Sequence, residues 1–539
     1  MRDRKCLSVM PLIVLGMLGL WSRHSVPARA DEWDADVLLH GGIVFDGSGA
    51  PGIQADVALR HERIVAIAAP GTLRARRMID CAGMYIAPGF IDLHTHSDQQ
   101  VVDPLYKAAV NYLLQGCTTQ VTGNCGSGPV DVGAYYHKID EQGAGTNVAH
   151  LLPQGTLRHE VMGSEDRRPQ PEEMQRMLQA THRAMQDGAW GISTGLIYVP
   201  SVYADTVELV SLARVVAGYG GIYVSHIRGE GKELLQAVQE AIQIGREAGS
   251  AVHISHIKAA GQEAWGTLRV ALDVIEQARA QGMHITADQY PYTASSTSLE
   301  ATVIPTWARA GGTQALLRRL QAEETTAKLY EEIQQSLERK QGGAAIVLAR
   351  CRAFPDWVGK NLAQIAEMEG TTPLEIVVQI IRKGGAGVVN FSMSEEDVRL
   401  AMQKPWVATA SDGSARWPDD DKPHPRSYGT FPRKIGRYAI HEKVLPVEQA
   451  IWSATGLPAS ILRLKERGLI RVNYYADLVV FDPTKFRDLA NYEEPHQYPL
   501  GVRYVWVNGK PAVWQGIPTG VLAGKALRRN LSEASGASR

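Results

Sequence analysis

The chain has 539 residues, a formal net charge of -1 from 56 Lys and Arg against 57 Asp and Glu, and 45% hydrophobic residues. Near-neutral charge leaves no electrostatic footprint for nucleic acid or an anionic membrane surface, and no basic tail, heptad array or repeat interrupts the sequence. The length exceeds one ordinary domain, so a main body with accessory parts is expected.

In chain order, Arg2, Asp3, Arg4 and Lys5 lead into an apolar stretch over residues 7–21 and then a polar segment ending Ala28-Arg29-Ala30. That order reads as a secretory signal peptide over residues 1–30, cleaved after Ala30, and places the mature protein outside the cytoplasm, in the periplasm. The apolar run falls short of the ~20 residues needed to span a bilayer. Cys6 precedes the apolar core and so does not sit like a lipoprotein cysteine. The later Cys81, Cys117, Cys125 and Cys351 are too few for a disulfide framework in so long a chain.

Residues 37–40, 43–46, 56–60 and 63–67 are short β-rich segments separated by Gly-Gly, Gly-Ser-Gly and His-Glu turns. Residues 476–481 and 504–507 have the same character, and Asn508-Gly509 is a strong hairpin turn. The two ends, 31–90 and the part of 445–539 beyond an initial helix, are expected to pair in one small β-domain. Between them, residues 221–226, 252–256, 284–288 and 406–412 are apolar runs ending in polar residues. Two helices alternate with them, one with Leu234, Leu235, Val238, Ala241 and Ile242 on a face, the other with Leu268, Ala271, Leu272, Ile275 and Ala278. Repeated βα units predict an α/β fold, a (β/α)8 TIM-like barrel over residues 91–444, with a charged, Gln-rich insertion over 305–352 at its mouth.

Barrel active sites lie at the C-terminal ends of the strands. The phrase Pro88-Gly89-Phe90-Ile91-Asp92-Leu93-His94-Thr95-His96 delivers two histidines at i, i+2, which share a face if the strand continues. Cys125, His226, His256 and Asp412 likewise close or follow apolar runs, so six metal-competent side chains gather at strand ends. Cys125, in Gly123-Asn124-Cys125-Gly126, reads as a buried thiol, a nucleophile or a thiolate ligand, and the five companions favour the ligand. His137, His159, His182 and His441 fall in helical or loop contexts and read as surface or packing residues. Asp412, in Thr409-Ala410-Ser411-Asp412-Gly413, is placed to take a proton from a metal-bound water and return it to a leaving amine. Lys258 and Arg426 could hold a substrate carboxylate, and Tyr290 and Ser296 offer hydroxyls at another strand end.

Together with Gly191-Ile192-Ser193-Thr194-Gly195-Leu196-Ile197-Tyr198, His226-Ile227-Arg228-Gly229-Glu230, His253-Ile254-Ser255-His256-Ile257-Lys258 and His424-Pro425-Arg426-Ser427-Tyr428-Gly429, these motifs resemble the amidohydrolase superfamily, and more narrowly the N-acyl-D-amino-acid deacylases, across essentially the whole mature chain. The resemblance implies a zinc ion held tightly by Cys125, His226 and His256. It implies a weaker second position formed by His94, His96 and Asp412 with Cys125 shared. Asp412 would be the general base and acid, and Lys258, Tyr290, Ser296 and Arg426 would orient the substrate with Tyr198 nearby. The implied reaction is hydrolysis of a small N-acyl-D-amino acid to a carboxylate and a D-amino acid, with no nucleic-acid partner and no membrane partner after signal cleavage. Two positions depart from the family pattern: Ile257 stands where relatives commonly have a second histidine, and Gly229 where they often have an acid. Two other readings start from the same residues. A cyclic-amide hydrolase of the dihydroorotase or hydantoinase kind would typically need a carboxylated lysine where Cys125 stands, and a non-catalytic exported zinc-binding barrel would have no use for Asp412.

Overall fold

The computed structural model describes residues 33–530; the leader expected over residues 1–30 and its cleavage position lie outside the described residues. Among the described residues, no helix is long and apolar enough to cross a membrane.

The barrel is built from two runs of parallel strands. Phe90–Asp92, Cys117–Thr122 and Asn147–His150 pair in that order. A second sheet runs Leu152–Pro153, Gly191–Gly195, Ile222–His226, Ala251–Ile254, Ile285–Gln289 and Val407–Thr409. The chain passes directly from Asn147–His150 to Leu152–Pro153, so these are two parts of one strand and eight strands circle the barrel. A parallel bridge between Thr95 and Gly413 joins the first strand to the last and closes it. Gly191–Gly195 and Ile222–His226 are buried throughout, because helices cover the outer face and side chains fill the inner one. Gly191 is required by proximity: a Cβ there would lie 2.0 Å from the Ile222 carbonyl oxygen.

The helix expected around Leu268 spans Leu268–Ala280 and buries Leu268, Ala271, Leu272, Ile275 and Ala278, the face read from the spacing. Leu234–Ala248 buries Leu234, Val238, Ala241 and Ile242, but Leu235 is exposed because the packed stripe runs through Ala237 instead. Gly249, at φ 68°, ends that helix in a left-handed turn that costs a glycine little.

The ends of the chain meet in a nine-stranded sheet. Its centre is the antiparallel pair Tyr85–Pro88 with Leu478–Phe481, which joins the N-terminal strands to the C-terminal ones. Asn508 (φ 49°) and Gly509 (φ 74°) make the turn between Val502–Val507 and Lys510–Trp514; both take the positive φ that a two-residue hairpin needs. Phe90 stacks on Phe431 at 5.3 Å in a core that also takes in Phe481, Phe486, Val505 and Ile435, so barrel and β-domain share apolar contacts. Each such fully buried ring contributes roughly 1.5–3 kcal/mol.

Between the last two barrel strands lies an inserted unit larger on both sides than residues 305–352. Ala294–Ser298, Gly387–Phe391 and Ile346–Arg350 form a three-stranded antiparallel sheet. Glu323–Glu338, Leu362–Glu369 and Pro373–Arg382 cover it with a separate apolar core that includes Leu329, Ile346, Ile376 and Val388. The charged composition of 305–352 marks only its exposed helices; the flanking strands are short and partly polar, and only long-range pairing defines them.

Candidate metal centre

His94, His96 and Asp412 meet where the barrel closes. The Asp412 amide donates to the His94 carbonyl (2.8 Å) and the His96 amide to the Gly413 carbonyl (2.7 Å), so backbone pairing itself sets these side chains against one another. His94 and His96 face the same way, with ring centroids 5.4 Å apart. Cys125 sits in a bend after Cys117–Thr122, at φ 51°, between Gly123 (φ 79°) and Gly126 (φ 70°). The glycines are needed for space as well as for φ: a Cβ on Gly123 would lie 2.0 Å from the Leu151 carbonyl oxygen. Asn124 Nδ2 donates to the carbonyls of Val121 (3.0 Å) and Leu93 (3.2 Å), and the Ser193 hydroxyl bridges Gly123 and Gly126. His226 ends the strand Ile222–His226, and His256 follows Ala251–Ile254.

The sequence separates these groups widely and the fold brings them together. Cys125 Sγ lies 3.3 Å from His94 Nε2, 3.6 Å from His226 Nδ1 and 3.8 Å from His256 Nε2. Asp412 Oδ1 lies 3.0 Å from His96 Nε2 and 3.4 Å from His94 Nε2. Donors bonded tetrahedrally to zinc at about 2.0–2.3 Å stand roughly 3.5 Å from one another, so this thiolate–imidazole set fits such an ion. Three groupings of mutually close donor atoms occur among the described residues: His94, His96 and Cys125; Cys125, His226 and His256; and His94, His256 and Asp412. Five of these side chains are buried, while His96 is half-buried.

Three of the six, Cys125 (φ 51°), His256 (φ 35°) and Asp412 (φ 51°), occupy left-handed backbone without being glycine. Strain of this kind costs of order 1–3 kcal/mol per residue and persists where the surroundings over-determine it. Burial opposes ionisation of Cys125, but the imidazoles of His94, His226 and His256 outweigh it and hold the thiol well below its ordinary range. Burial likewise pushes the Asp412 carboxyl up, yet Arg426, His94 and His256 hold it well below the usual carboxylate range. Both are therefore poised as anions, the state in which each can ligate.

Two acids that sequence reasoning missed support the ring. Asp288, ending Ile285–Gln289, accepts the His256 amide (2.6 Å), pairs with His253 Nε2 (2.8 Å) and lies 3.6 Å from His94 Nδ1. Glu230 lies 3.1 Å from His256 Nδ1 and 3.8 Å from His226 Nε2. Burial would raise both carboxyls, but neighbouring His94 and His253 for Asp288, and Lys258, His226 and His256 for Glu230, bring them well below the usual range. Such partners fix which imidazole nitrogen faces inward. Asp288 carries the signal already used for Asp412, an acid closing an apolar run. Glu230 closes the quoted motif four residues after His226, but it lies in a loop and no apolar run marks it. His137, His159, His182 and His441 are exposed.

The centre opens into a cavity of about 970 Å³, whose lining includes Tyr198, Tyr290, Ser296, Lys258 and Asp412. Tyr290 is buried and its hydroxyl has no hydrogen-bond partner among the described residues, whereas the Tyr198 hydroxyl lies 2.9 Å from Thr297 Oγ1. The two expected carboxylate-gripping cations already have protein partners. Lys258 donates to Glu230 (2.5 Å) and to the His256 carbonyl (2.7 Å). Arg426 pairs with Asp412 (2.8 Å), donates to the Ser296 carbonyl (3.2 Å) and lies over the Tyr290 ring at 4.8 Å. His424 pins this arginine: its Nδ1 accepts the Arg426 amide (3.0 Å) and its Nε2 donates to the Ala294 carbonyl (2.9 Å) of the inserted unit. Ile257, in the departure from the motif, is packed into the barrel's main core. At the other departure a Cβ on Gly229 would lie 2.7 Å from Glu233 Cβ. Among the described residues Cys81, Cys117, Cys125 and Cys351 form no disulfide, and all four are buried.

Residues 77–513 match the model of a family described as the amidohydrolase family. The chain is 35% identical to a D-aminoacylase of Alcaligenes xylosoxydans xylosoxydans, over 93% of this chain and 99% of that one. An N-acyl-D-glutamate deacylase of the same organism is 34% identical over 93% and 98%. The crystal structure of an N-acyl-D-glutamate deacylase from Bordetella bronchiseptica, complexed with zinc and a phosphonate mimic of the tetrahedral intermediate, superposes with a TM-score of 0.80 at 33% identity, covering 92% of this chain and 99% of that one.

Proposed function

The chain belongs to the amidohydrolase family, and within it to the N-acyl-D-amino-acid deacylases, and on that footing we propose that it hydrolyses the amide bond of N-acyl-D-amino acids with bound zinc. The observation that carries this reading is a buried cysteine sulfur within 3.8 Å of three imidazoles, beside an aspartate at the same barrel rim. Cys125, His226 and His256 hold the tightly bound ion; His94, His96 and Asp412 share Cys125 in a weaker second position. Bound zinc supplies Lewis acidity and a water of lowered pKa. Asp412 takes that water's proton and delivers it to the departing amine. Arg426, Tyr290, Ser296 and Lys258 orient the substrate carboxylate. For Arg426 this means adding an acceptor to those already held, which a guanidinium with five donors can accommodate. For Lys258, an ammonium with three donors already facing Glu230 and His256, it means exchanging one of those partners for the substrate. Tyr198, whose ring lies 5.2 Å from that of His226, stands beside the amide.

Cys125 stands where a cyclic-amide hydrolase would need its carboxylated lysine, which favours the linear amide. The basic, apolar and small-residue order of residues 2–30 supports export to the periplasm with cleavage after Ala30. The test is turnover of paired N-acetyl-D- and N-acetyl-L-amino acids, before and after chelation. Hydrolysis of the D series, lost on chelation and restored by zinc, is expected. Equal rates on both enantiomers, or activity indifferent to chelator, would overturn the reading.

A further inference from the structure

The metal centre is approached from two sides. Besides the 970 Å³ cavity, which reaches His226, His256 and Asp412, a second cavity of about 610 Å³ reaches His96 and Cys125 past the helix Gln154–Met162. Tyr198, Ser296 and Thr297 line both cavities. The 2.9 Å contact between the Tyr198 and Thr297 hydroxyls stands between them. That side-chain hydrogen bond is part of the partition, and the two sides reach different donors of one cluster, His226, His256 and Asp412 from the larger and His96 and Cys125 from the smaller.

The two chambers differ in chemistry. The larger is lined by charged groups, Lys258, Glu230 and Lys340 among them. Among the described residues lining the smaller there is no Asp, Glu, Lys or Arg; its wall is uncharged, with hydroxyls from residues such as Ser127, Ser164 and Ser201, apolar surface from Val199 and Pro200, and exposed His159. Gly155 keeps that wall thin, since a Cβ there would lie 2.7 Å from the Gly126 carbonyl oxygen and from Ser201 Oγ. An N-acyl amino acid has the same asymmetry about its amide: a carboxylate-bearing half and an uncharged half. With the carboxylate drawn to Lys258, Tyr290 and Ser296, the uncharged half is left facing His96 and Cys125.

We propose that the 610 Å³ chamber is the acyl subsite and that this chain favours acyl groups much longer than acetyl. The inference builds on the deacylase reading and names its substrate class. The chamber holds the equivalent of about 20 waters at ~30 Å³ each, far more room than a methyl group takes. A chain laid along it gains roughly fourfold in kcat/KM for each methylene removed from water.

The experiment measures kcat/KM of the zinc-loaded protein on one D-amino acid acylated with acetyl, butyryl, hexanoyl and octanoyl groups, repeated for Val199→Trp and His159→Trp, which narrow the chamber from different walls. The expected octanoyl-to-acetyl ratio exceeds ten in the unaltered protein and falls at least tenfold in either variant. A ratio at or below one in the unaltered protein, or one that neither variant changes, overturns the acyl subsite. Failure to hydrolyse any member of the series overturns the deacylase reading instead.

Discussion

The protein buries polar groups in two places and treats them in opposite ways. Where barrel and β-domain join, Arg467 pairs with Asp477 and donates to Asn508 Oδ1 (2.7 Å), Asn508 donates its amide to Asp477 (2.6 Å), and Asn147 of the barrel donates to Asp477 (3.1 Å). Asn508 Nδ2 completes the network on Asn147 (2.8 Å) and the Ala523 carbonyl (2.8 Å). At the rim, by contrast, the buried Tyr290 hydroxyl has no hydrogen-bond partner among the described residues. An unsatisfied buried group costs about 1–3 kcal/mol. A saturated network is architecture; an orphan hydroxyl tolerated beside strained backbone belongs to a site awaiting something from outside.

Mutations at the two places should separate accordingly. The largest effect is expected for Cys125→Ala: zinc content by mass spectrometry falls below half of the unaltered protein's and turnover is abolished, with far-ultraviolet circular dichroism unchanged. Full zinc retention would remove the thiolate from the ligand set. Asp412→Asn lowers kcat by about 10³-fold, the scale of a lost acid–base group, while the tightly bound zinc stays; near-normal kcat would end its catalytic assignment. Arg467→Ala leaves Asp477 buried and unpaired, which costs about 3–5 kcal/mol of stability, seen as a lower denaturation midpoint with kcat per folded molecule preserved. Tyr290→Phe does the reverse: it removes an orphan hydroxyl, leaves the midpoint unchanged or slightly higher, and raises KM by about tenfold. A falling midpoint there would mean the hydroxyl is structural.

The smallest effect at neutral pH belongs to His150, which is satisfied by Thr122 (2.8 Å) and the Pro129 carbonyl (2.9 Å) and lowered by burial to about 4. The unfolded chain, with its histidine near 6.5, takes up a proton that the folded one refuses. Stability from this residue is therefore complete above pH 6.5 and is lost as pH falls from there to about 4. Thermal midpoints of the unaltered protein should fall more steeply over that window than those of His150→Asn; parallel slopes would contradict this.

The six ring residues were legible because a parallel barrel sends all its strand ends to one rim, so a ligand-type residue after an apolar run is already localised. The hairpin at Asn508 was legible for a different reason: few residues accept its backbone. Glu230, by contrast, has meaning only beside His226, His256 and Lys258, and the occupied state of Arg426 depends on Asp412 and on a strand from the inserted unit. The limits of that unit were hidden as well, since strands such as Ala294–Ser298 carry Ser and Thr rather than a branched apolar run. Pairwise tertiary contacts leave no periodic trace in a chain.

The seam between Thr95 and Gly413 has a further consequence. Cys125, His226 and His256 all come from inside one stretch of the ring, but Asp412 is stitched to His94 only when the last strand docks against the first. The Asp412–His94 contact therefore exists only in a fully closed ring, and the whole six-residue cluster depends on one two-residue seam.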